Sequence, residues 1–250
     1  MPLLILILII FALAFLFSML GLGGAILYIP VFNWFGFDFK TVAIPTGLFL
    51  NGVTAVSGAI SYAKAKMVDF KGAVPMIITS FIGAPIGAVC TRYVSTETLI
   101  VLFAIVMIVA GTRMLLSAKK PEPKELLPFH KRAMITGTGG LFIGLIAGLL
   151  GIGGGFLFVP MMIAVGYPTK TAAATSAFIV IFSSFSGFAS HVAESHFDWL
   201  FLLYCSIAVI IASQIGAKVM KEKMKVQWIK QMFGVLLIFV AIKLSWNIFF

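Results

Sequence analysis

The stretches LGLGGAILYIP at residues 20–30 and LLGIGGGFLFVP at residues 149–160 decide the fold of this chain. Both lie inside apolar segments that are longer than one membrane crossing needs, and both gather glycines ahead of a proline. Each glycine costs about 1 kcal/mol relative to alanine in a helix interior. Three or four glycines within five residues therefore predict that a helix ends there, in the middle of each long segment.

The composition is that of an integral membrane protein. Of 250 residues, 61% are hydrophobic and 10% are charged, and the mean hydropathy is +1.14, whereas about a quarter of an ordinary globular domain is charged. A spanning helix needs about 20 mostly apolar residues. At least eight stretches qualify, at 3–35, 42–63, 72–92, 97–117, 132–165, 171–192, 199–219 and 227–249. The sequence predicts an all-α membrane protein.

The two glycine clusters belong to a tandem internal repeat. A shift of 130 residues superimposes Gly21, Gly23, Gly24, Leu27 and Pro30 on Gly151, Gly153, Gly154, Leu157 and Pro160 without a gap. With one residue dropped, Asp69 falls on Asp198. The predicted units are a first transmembrane repeat at 1–117, a cytoplasmic linker at 118–131 and a second transmembrane repeat at 132–250.

The basic residues indicate orientation. Most of the 18 lysines and arginines lie in the stretches 64–71, 113–133 and 218–230, and the positive-inside rule places all three in the cytoplasm. The same rule explains the net charge of +10, so we expect no nucleic-acid partner. The repeat partner of 64–71 is the loop 193–199, which has no lysine or arginine.

Corresponding loops therefore lie on opposite sides of the membrane, which is the pattern of an inverted-topology repeat. If 113–133 and 218–230 are both inside, segment 132–165 must cross an even number of times. It is either a hairpin whose tip is the glycine cluster or a pair of crossings, and the sequence leaves both open. Segment 3–35 behaves likewise, which predicts that both termini lie outside.

Broken helices repeated in both halves indicate a transporter's substrate site. The amide N–H groups at the start of a half-helix carry partial positive charge and bind anions. The predicted substrate-binding glycines are Gly21, Gly23, Gly24, Gly151, Gly153, Gly154 and Gly155. The alternative is that small residues spaced four apart only allow close helix packing. It is preferred for the pairs Gly83 and Gly87, Gly144 and Gly148, and Ala212 and Gly216.

Polar side chains in the second and sixth segments complete the predicted site. Thr46, Asn51, Ser176 and Ser183 can donate hydrogen bonds to an oxyanion. The alternative for the hydroxyl groups is a bond back to their own helix. Almost no ionisable side chain lies within the apolar segments, so we expect neither a buried charge nor a proton relay to bind the substrate.

The remaining polar residues and the broken helices allow three other interpretations. In HVAESHFDW, at residues 191–199, histidines and carboxylates lack the H-E-x-x-H spacing of a helical metal site, so we expect no metal, no cofactor, no catalytic residue and no enzyme. Arg92, Arg113, Lys218 and Lys243 lie near segment ends, where snorkelling to the interface explains them; an anion-attracting vestibule is the alternative for Arg92. An anion channel would share the broken helices, and it stays open as an alternative function, as does a membrane-embedded enzyme.

The motifs GLGGAILYIP and GIGGGFLFVP resemble those of the sulfite exporter TauE/SafE family. Both share the pattern G-x-GG-x5-P, and each is followed some ten residues later by Lys-Thr and a helix bearing threonine and serine. The resemblance covers essentially the whole chain, although Ala25 stands where the second copy has Gly155. It implies about eight hydrophobic segments and outward movement of small sulfur-containing or organic anions across the bacterial inner membrane.

Together these features predict a secondary transporter that works by alternating access. Its expected cargo is sulfoacetate, sulfite or a related sulfonate, and its expected location is the bacterial inner membrane, where lipid surrounds it. Pro30 and Pro160 are expected to help fix the bends in the broken segments. The coupling ion and the oligomeric state stay open, with a homodimer among the alternatives.

Overall fold

The computed structural model describes residues 2–118, 125–192, 195, 197–223 and 225–249, and every regular element in them is helical. The helices are α1 (Pro2–Ser18), α2 (Ala25–Trp34), α3 (Ile44–Lys64), α4 (Phe70–Thr91), α5 (Thr96–Ser117), α6 (Phe129–Leu150), α7 (Gly155–Ala164), α8 (Thr169–His191), α9 (Trp199–Glu222) and α10 (Val226–Phe249). A π-helical turn, Phe39–Ala43, leads into α3. The predicted all-α fold is confirmed; part of the predicted linker, 119–124, lies outside the described residues.

Several helices are long enough to cross a bilayer. Among the described residues, six helical stretches have sufficient length and hydropathy: α3 with its π-helical turn, α4, α5, α6, α8 and α9. Isoleucines repeat every four residues on the exposed faces of α4 and α9, at Ile78, Ile82 and Ile86 and at Ile207, Ile211 and Ile215. Such a face is suited to contact lipid, and the chain is a multi-pass membrane protein.

The two long apolar segments are helical hairpins whose arms differ in length. Helices α2 and α7 have 10 residues each, or about 15 Å at 1.5 Å per residue, which is half of a hydrocarbon core of about 30 Å. The amide of Leu127, just before α6, donates to the carbonyl oxygen of Val165, just after α7, at 3.1 Å. Segment 132–165 therefore returns to the end where it began, as the hairpin alternative requires.

Contacts between loops define two ends of the bundle. The basic face is the end at which α3, α5, α7 and α9 finish and α4, α6, α8 and α10 begin. There Tyr167 donates to Asp69 at 2.7 Å, and Lys230 lies 3.5 Å from the carbonyl oxygen of Ser117. The opposite face is the end at which α4 and α8 finish and α5 and α9 begin. The compartment that each face meets stays a prediction.

Helices α3 and α8 form the centre of the bundle and pack against each other. Around them α4 packs along α6 and on α8, α9 packs along α1 and on α3, and α5 packs with α10. Each pairing joins a helix of the first predicted repeat to one of the second. This reciprocal pairing is what an inverted repeat requires, and the inversion itself stays a prediction.

Close packing of α4 on α6 depends on glycine. A Cβ atom at Gly83 would lie 2.6 Å from the carbonyl oxygen of Leu141, and one at Gly144 would lie 2.7 Å from that of Ser80. Gly87, Gly148 and, in the α1–α9 contact, Gly216 also lie against neighbouring backbone. The interpretation of these glycines as packing residues is confirmed.

Matched aspartates begin matched helices. Asp69 caps α4 by accepting a hydrogen bond from the amide of Gly72 at 2.9 Å, and Asp198 caps α9 by accepting one from Phe201 at 3.0 Å. A carboxylate at this position satisfies an amide that has no partner within the helix and complements the helix dipole. The sequence alignment of Asp69 with Asp198 therefore corresponds to a shared structural role.

Candidate functional site

The first glycine break, between α1 and α2, contacts the side chain of Asn51. Asn51 lies on α3 and is fully buried. Its Oδ1 accepts hydrogen bonds from the amide of Ala25, at 2.9 Å, and from that of Gly24. These are amides at the start of α2, so Asn51 supplies the acceptor that the beginning of a helix lacks.

Asn51 also connects the first break to the second half of the chain. Its Nδ2 donates to Ser184 Oγ on α8 at 2.6 Å. The neighbouring Ser183 donates to the carbonyl oxygen of Gly153 at 2.8 Å. Both glycine breaks therefore meet the same polar cluster, formed by Asn51, Ser183 and Ser184, where α3 contacts α8.

The positions nearest this cluster require glycine for two reasons. Gly23 has φ of 74° and Gly153 has φ of 69°, which is the left-handed region that side chains disfavour. A Cβ atom at either residue would also collide with the amide group of Asn51. The glycine clusters thus end the helices, as predicted, and let the backbone approach Asn51.

Helix α7 begins differently from α2. Its first residue is Gly155, and it has no side-chain cap. Within the described part of the chain, no residue accepts a hydrogen bond from the amides of Gly155 and Phe156. The start of α7 therefore presents backbone donors at the positive end of a helix dipole.

Further contacts close the space between the two breaks. A Cβ atom at Gly21 would collide with the carbonyl oxygen of Ala173 on α8, and one at Gly155 would collide with that of Leu22. Ser176 donates to the carbonyl oxygen of Gly155 at 3.3 Å. The backbones of the two halves therefore touch at Gly21 and at Leu22, close to the polar cluster.

The remaining predicted residues lie at the edge of this arrangement. Gly151 packs against Ile44 at the start of α3, and Gly154 packs against Phe158 of its own helix. Thr46 is buried on α3, five residues before Asn51, and the structure shows no hydrogen bond from it to the described residues of either break. The substrate roles of all these residues stay predictions.

Two tyrosines beside the first break were missed in the sequence analysis. The hydroxyl of Tyr28 lies 3.1 Å from Thr54 Oγ1, and that of Tyr62 donates to the carbonyl oxygen of Ser18. Both tyrosines are fully buried. Tyr28 lies within the repeated motif, which was the available signal. Ser184 was likewise not part of the predicted site, although the 130-residue shift superimposes it on Thr54.

A cavity of about 420 Å³ lies at the basic face between the α5–α10 pair and helices α7 and α8. Arg113 and Lys230 line it, and it reaches Leu20 in the first break. From the sequence, Arg113 was explained by snorkelling.

At the opposite face Arg92, Lys40 and His191 border a pocket of about 30 Å³. Of the metal-capable residues near His191, Glu194 and His196 lie outside the described residues.

At the basic face, Asp69, Tyr167 and Arg132 form a second group of polar side chains, which connects the α6–α7 hairpin to the start of α4. Asp69 accepts a hydrogen bond from Tyr167 at 2.7 Å, and its carboxylate lies 3.8 Å from Arg132. Burial by itself would raise the pKa of Asp69, but the hydrogen bonds from Gly72 and Tyr167 and the charge of Arg132 lower it below its ordinary value. The ionised carboxylate is therefore the favoured form.

Comparisons with known proteins identify a family and related membrane transporters. The family model described as sulfite exporter TauE/SafE matches residues 6–244. The probable membrane transporter protein YunE of Bacillus subtilis is 30% identical over 253 residues, with 92% of each chain covered. A probable membrane transporter protein of Xylella fastidiosa is 26% identical over 237 residues, covering 93% of this chain and 91% of that one. The sulfite exporter TauE/SafE family protein 3 of Arabidopsis thaliana is 32% identical over 85 residues, which cover 34% of this chain and 18% of that protein.

Proposed function

This chain belongs to the sulfite exporter TauE/SafE family and is a membrane transporter, and on that premise we propose that it exports a small sulfur-containing anion by alternating access. The proposed cargo is sulfoacetate, sulfite or a related sulfonate. The proposed location is the bacterial inner membrane, with the basic face in the cytoplasm and both termini outside. No chemical conversion of the cargo is part of this proposal.

The observation that carries the proposal is the meeting of two half-helix starts at one polar cluster. Helices α2 and α7 both begin at glycine breaks that contact Asn51, Ser183 or Ser184. Backbone amides at such starts bind sulfonate-type oxygens without any charged side chain. At the start of α2 the anion would replace Asn51 Oδ1 as the acceptor of the amides of Gly24 and Ala25. In this proposal the seven glycines of the two breaks allow the anion to approach the backbone donors, and Thr46, Asn51, Ser176 and Ser183 complete the shell.

The nature of these donors suits release as well as binding. The polar cluster contains hydroxyl groups and one amide and, in the part of the chain that the structure describes, no lysine or arginine lies in it. Partial charges hold an anion less tightly than a buried cation does, and a carrier must release its cargo at the far side. An anion with several oxygens can be held by several weak donors at once.

Alternating access requires two groups of helices that move against each other. Helices α4, α6, α7 and α8 pack together, as do α1, α2, α3 and α9, and the α3–α8 contact joins the groups. The close contacts of Gly21 with Ala173 and of Gly155 with Leu22 lie between these groups. We propose that rocking opens these contacts, with Pro30 and Pro160 fixing bends in α2 and α7. A closed centre favours a carrier over an open channel.

The test is counterflow in proteoliposomes. Vesicles are loaded with unlabelled sulfoacetate or sulfite, and the uptake of trace labelled anion is followed beside vesicles that are loaded with buffer alone. A carrier gives transient accumulation above equilibrium only in the preloaded vesicles. Equal uptake by loaded and unloaded vesicles would indicate a channel, and no uptake of either anion would contradict the proposed cargo.

A further inference from the structure

The cavity at the basic face has the size of a binding site for a small molecule. Its volume is about 420 Å³, and pockets that bind small molecules range from about 300 to 1,000 Å³. Its walls come from both halves of the chain: the end of α5, the beginning of α10, the second half of α7 and the first turns of α8. It is separate from the polar cluster of Asn51, which does not line it.

The charge of the cavity favours an anion. Among the described residues that line it, Arg113 and Lys230 are the charged ones. Lys230 is only 7% exposed, and its Nζ lies 3.5 Å from the carbonyl oxygen of Ser117. A lysine that only snorkelled would hold its ammonium group in water at the membrane surface. Here the ammonium group is held in the wall of the cavity, one turn from Arg113 along α5.

Apart from Ser117 and Thr169, the other described residues that line the cavity are apolar, and they include Met114, Val159 and Ile163. An anion surrounded by apolar walls interacts more strongly with nearby cations, because the local dielectric is low. A ligand with a charged head and a short carbon chain satisfies both parts of the lining. This chemistry is that of a small organic sulfonate or carboxylate.

The inner end of the cavity lies at the first glycine break. Leu20 lines the cavity, and the next residue, Gly21, contacts the carbonyl oxygen of Ala173. Ala173 itself lines the cavity. A ligand held there is therefore separated from the polar cluster by the contact that alternating access would have to open.

We propose that this cavity is a second anion site, a vestibule in which Arg113 and Lys230 bind the head group of a small organic anion before it reaches the glycine breaks. The inference deepens the proposed function and rests on it for the direction of movement. Binding of the anion in the vestibule does not depend on transport, so the two proposals can fail separately.

The test uses a cysteine in the wall of the cavity. Ala164 is exposed and lines the cavity, so Ala164→Cys is made together with Cys90→Ser and Cys205→Ser and placed in nanodiscs of phosphatidylcholine. The rates of modification by a sulfonate-bearing and by a trimethylammonium-bearing methanethiosulfonate are compared. We expect the ratio of the two rates to fall about tenfold with Lys230→Gln or Arg113→Gln, since clefts of one charge concentrate counter-ions to that degree.

Protection provides the second measurement. Sulfoacetate should slow modification of the thiol introduced by Ala164→Cys when Lys230 is present and fail to do so in Lys230→Gln, while Lys230→Arg should keep the protection. Tyr93→Cys at the opposite face is the matched control and should respond to none of these changes. Two variants are used because loss of either charge could by itself impair folding.

Each outcome decides the proposal. An unchanged ratio of rates in both variants would overturn the proposal. It would also be overturned if sulfoacetate gave no protection but anionic phospholipid in place of phosphatidylcholine slowed the modification, because the site would then hold a lipid head group. Protection without counterflow would leave the vestibule standing and contradict the exporter. Counterflow without protection would leave the exporter standing and remove the vestibule.

Discussion

Asn51 on α3 and Ser184 on α8 are joined by a hydrogen bond of 2.6 Å across 133 positions of sequence. The other end of the same amide group accepts hydrogen bonds from the first amides of α2. A single side chain thus connects one glycine break to the central helix of the other half. Its oxygen lies at the positive end of α2, where an oxygen of a bound anion would also be stabilised.

Asn51→Asp should therefore impair transport more than folding. The variant keeps an acceptor for the amides of Gly24 and Ala25 but adds a negative charge beside the proposed anion site. We expect transport to fall about tenfold or more, since charge interactions at a helix end reach about 1–2 kcal/mol in partly buried sites. Labelled-sulfoacetate efflux from proteoliposomes measures the effect. Asn33→Asp, the same change at the far end of α2, is the control, and equal loss in both variants would contradict the assignment.

Gly153→Leu should abolish transport while membrane insertion stays intact. Its side chain would enter the space occupied by Asn51 and Ser184, at a backbone conformation that favours glycine. Gly153→Ala should show a milder loss for the same reason. The control is Gly58→Ala on α3, where an added Cβ atom meets only Tyr62, at 3.9 Å. Flux at the wild-type rate in Gly153→Leu would remove the second break from the site.

Much of the fold could be predicted because it depends on local features of the sequence. The apolar segments predicted the helices, the glycine clusters predicted where α1 and α6 end, and the charges of the loops limited segment 132–165 to an even number of crossings. The choice between a hairpin and paired crossings needed the lengths of α2 and α7. Glycine density locates the break, but it does not say how far the following helix extends.

The site was less predictable because its contacts are distant in sequence. Asn51 was predicted to donate to a bound anion, yet in the structure its partners are Gly24, ahead of α2, and Ser184 on α8. The internal repeat does not help to predict these partners, because the 130-residue shift matches Asn51 with Ile181, which has no polar side chain. The cavity lined by Arg113 and Lys230 was missed for a related reason: each cation alone is explained by its position near a segment end.

Gly144→Leu should lower stability because it separates two packed helices. Gly144 lies against the backbone of α4 at Ser80, so a larger side chain would force α4 and α6 apart. We expect a loss of about 1–3 kcal/mol or more, measured as a lower thermal unfolding midpoint in detergent. Gly137→Leu on the same helix is the matched control, because a Cβ atom there meets only Pro75, at 3.8 Å. A midpoint unchanged by Gly144→Leu would contradict the packing role.

Asp69→Asn should weaken the attachment of the α6–α7 hairpin at neutral pH. The carboxylate accepts hydrogen bonds from Gly72 and Tyr167 and faces Arg132, and hydrogen bonds to charged groups contribute about 1.5–3 kcal/mol. Partial exposure of Asp69 reduces this contribution, so we expect a loss of about 1 kcal/mol.

The pH dependence of this contribution has a definite sign. The pKa of Asp69 is lower in the folded protein than its ordinary value, so the stabilisation is present above about pH 4, the unfolded value, and is lost as the pH falls through the folded value. The unfolding midpoints of wild type and Asp69→Asn should differ at pH 7 and converge on acidification. A difference that grows at low pH would show that another group is responsible.

Labelling from outside the cell should distinguish the two faces of the bundle. In a Cys90→Ser background, Tyr93→Cys places a thiol at the opposite face, where the native side chain is 86% exposed. Ala65→Cys places one at the basic face, directly after α3, at a residue that is also exposed. The positive-inside rule puts the basic face in the cytoplasm. A membrane-impermeant maleimide should therefore modify the Tyr93→Cys variant in intact cells and modify the Ala65→Cys variant only after the membrane is permeabilised. The reverse pattern would invert the proposed orientation and turn export from the basic face into uptake.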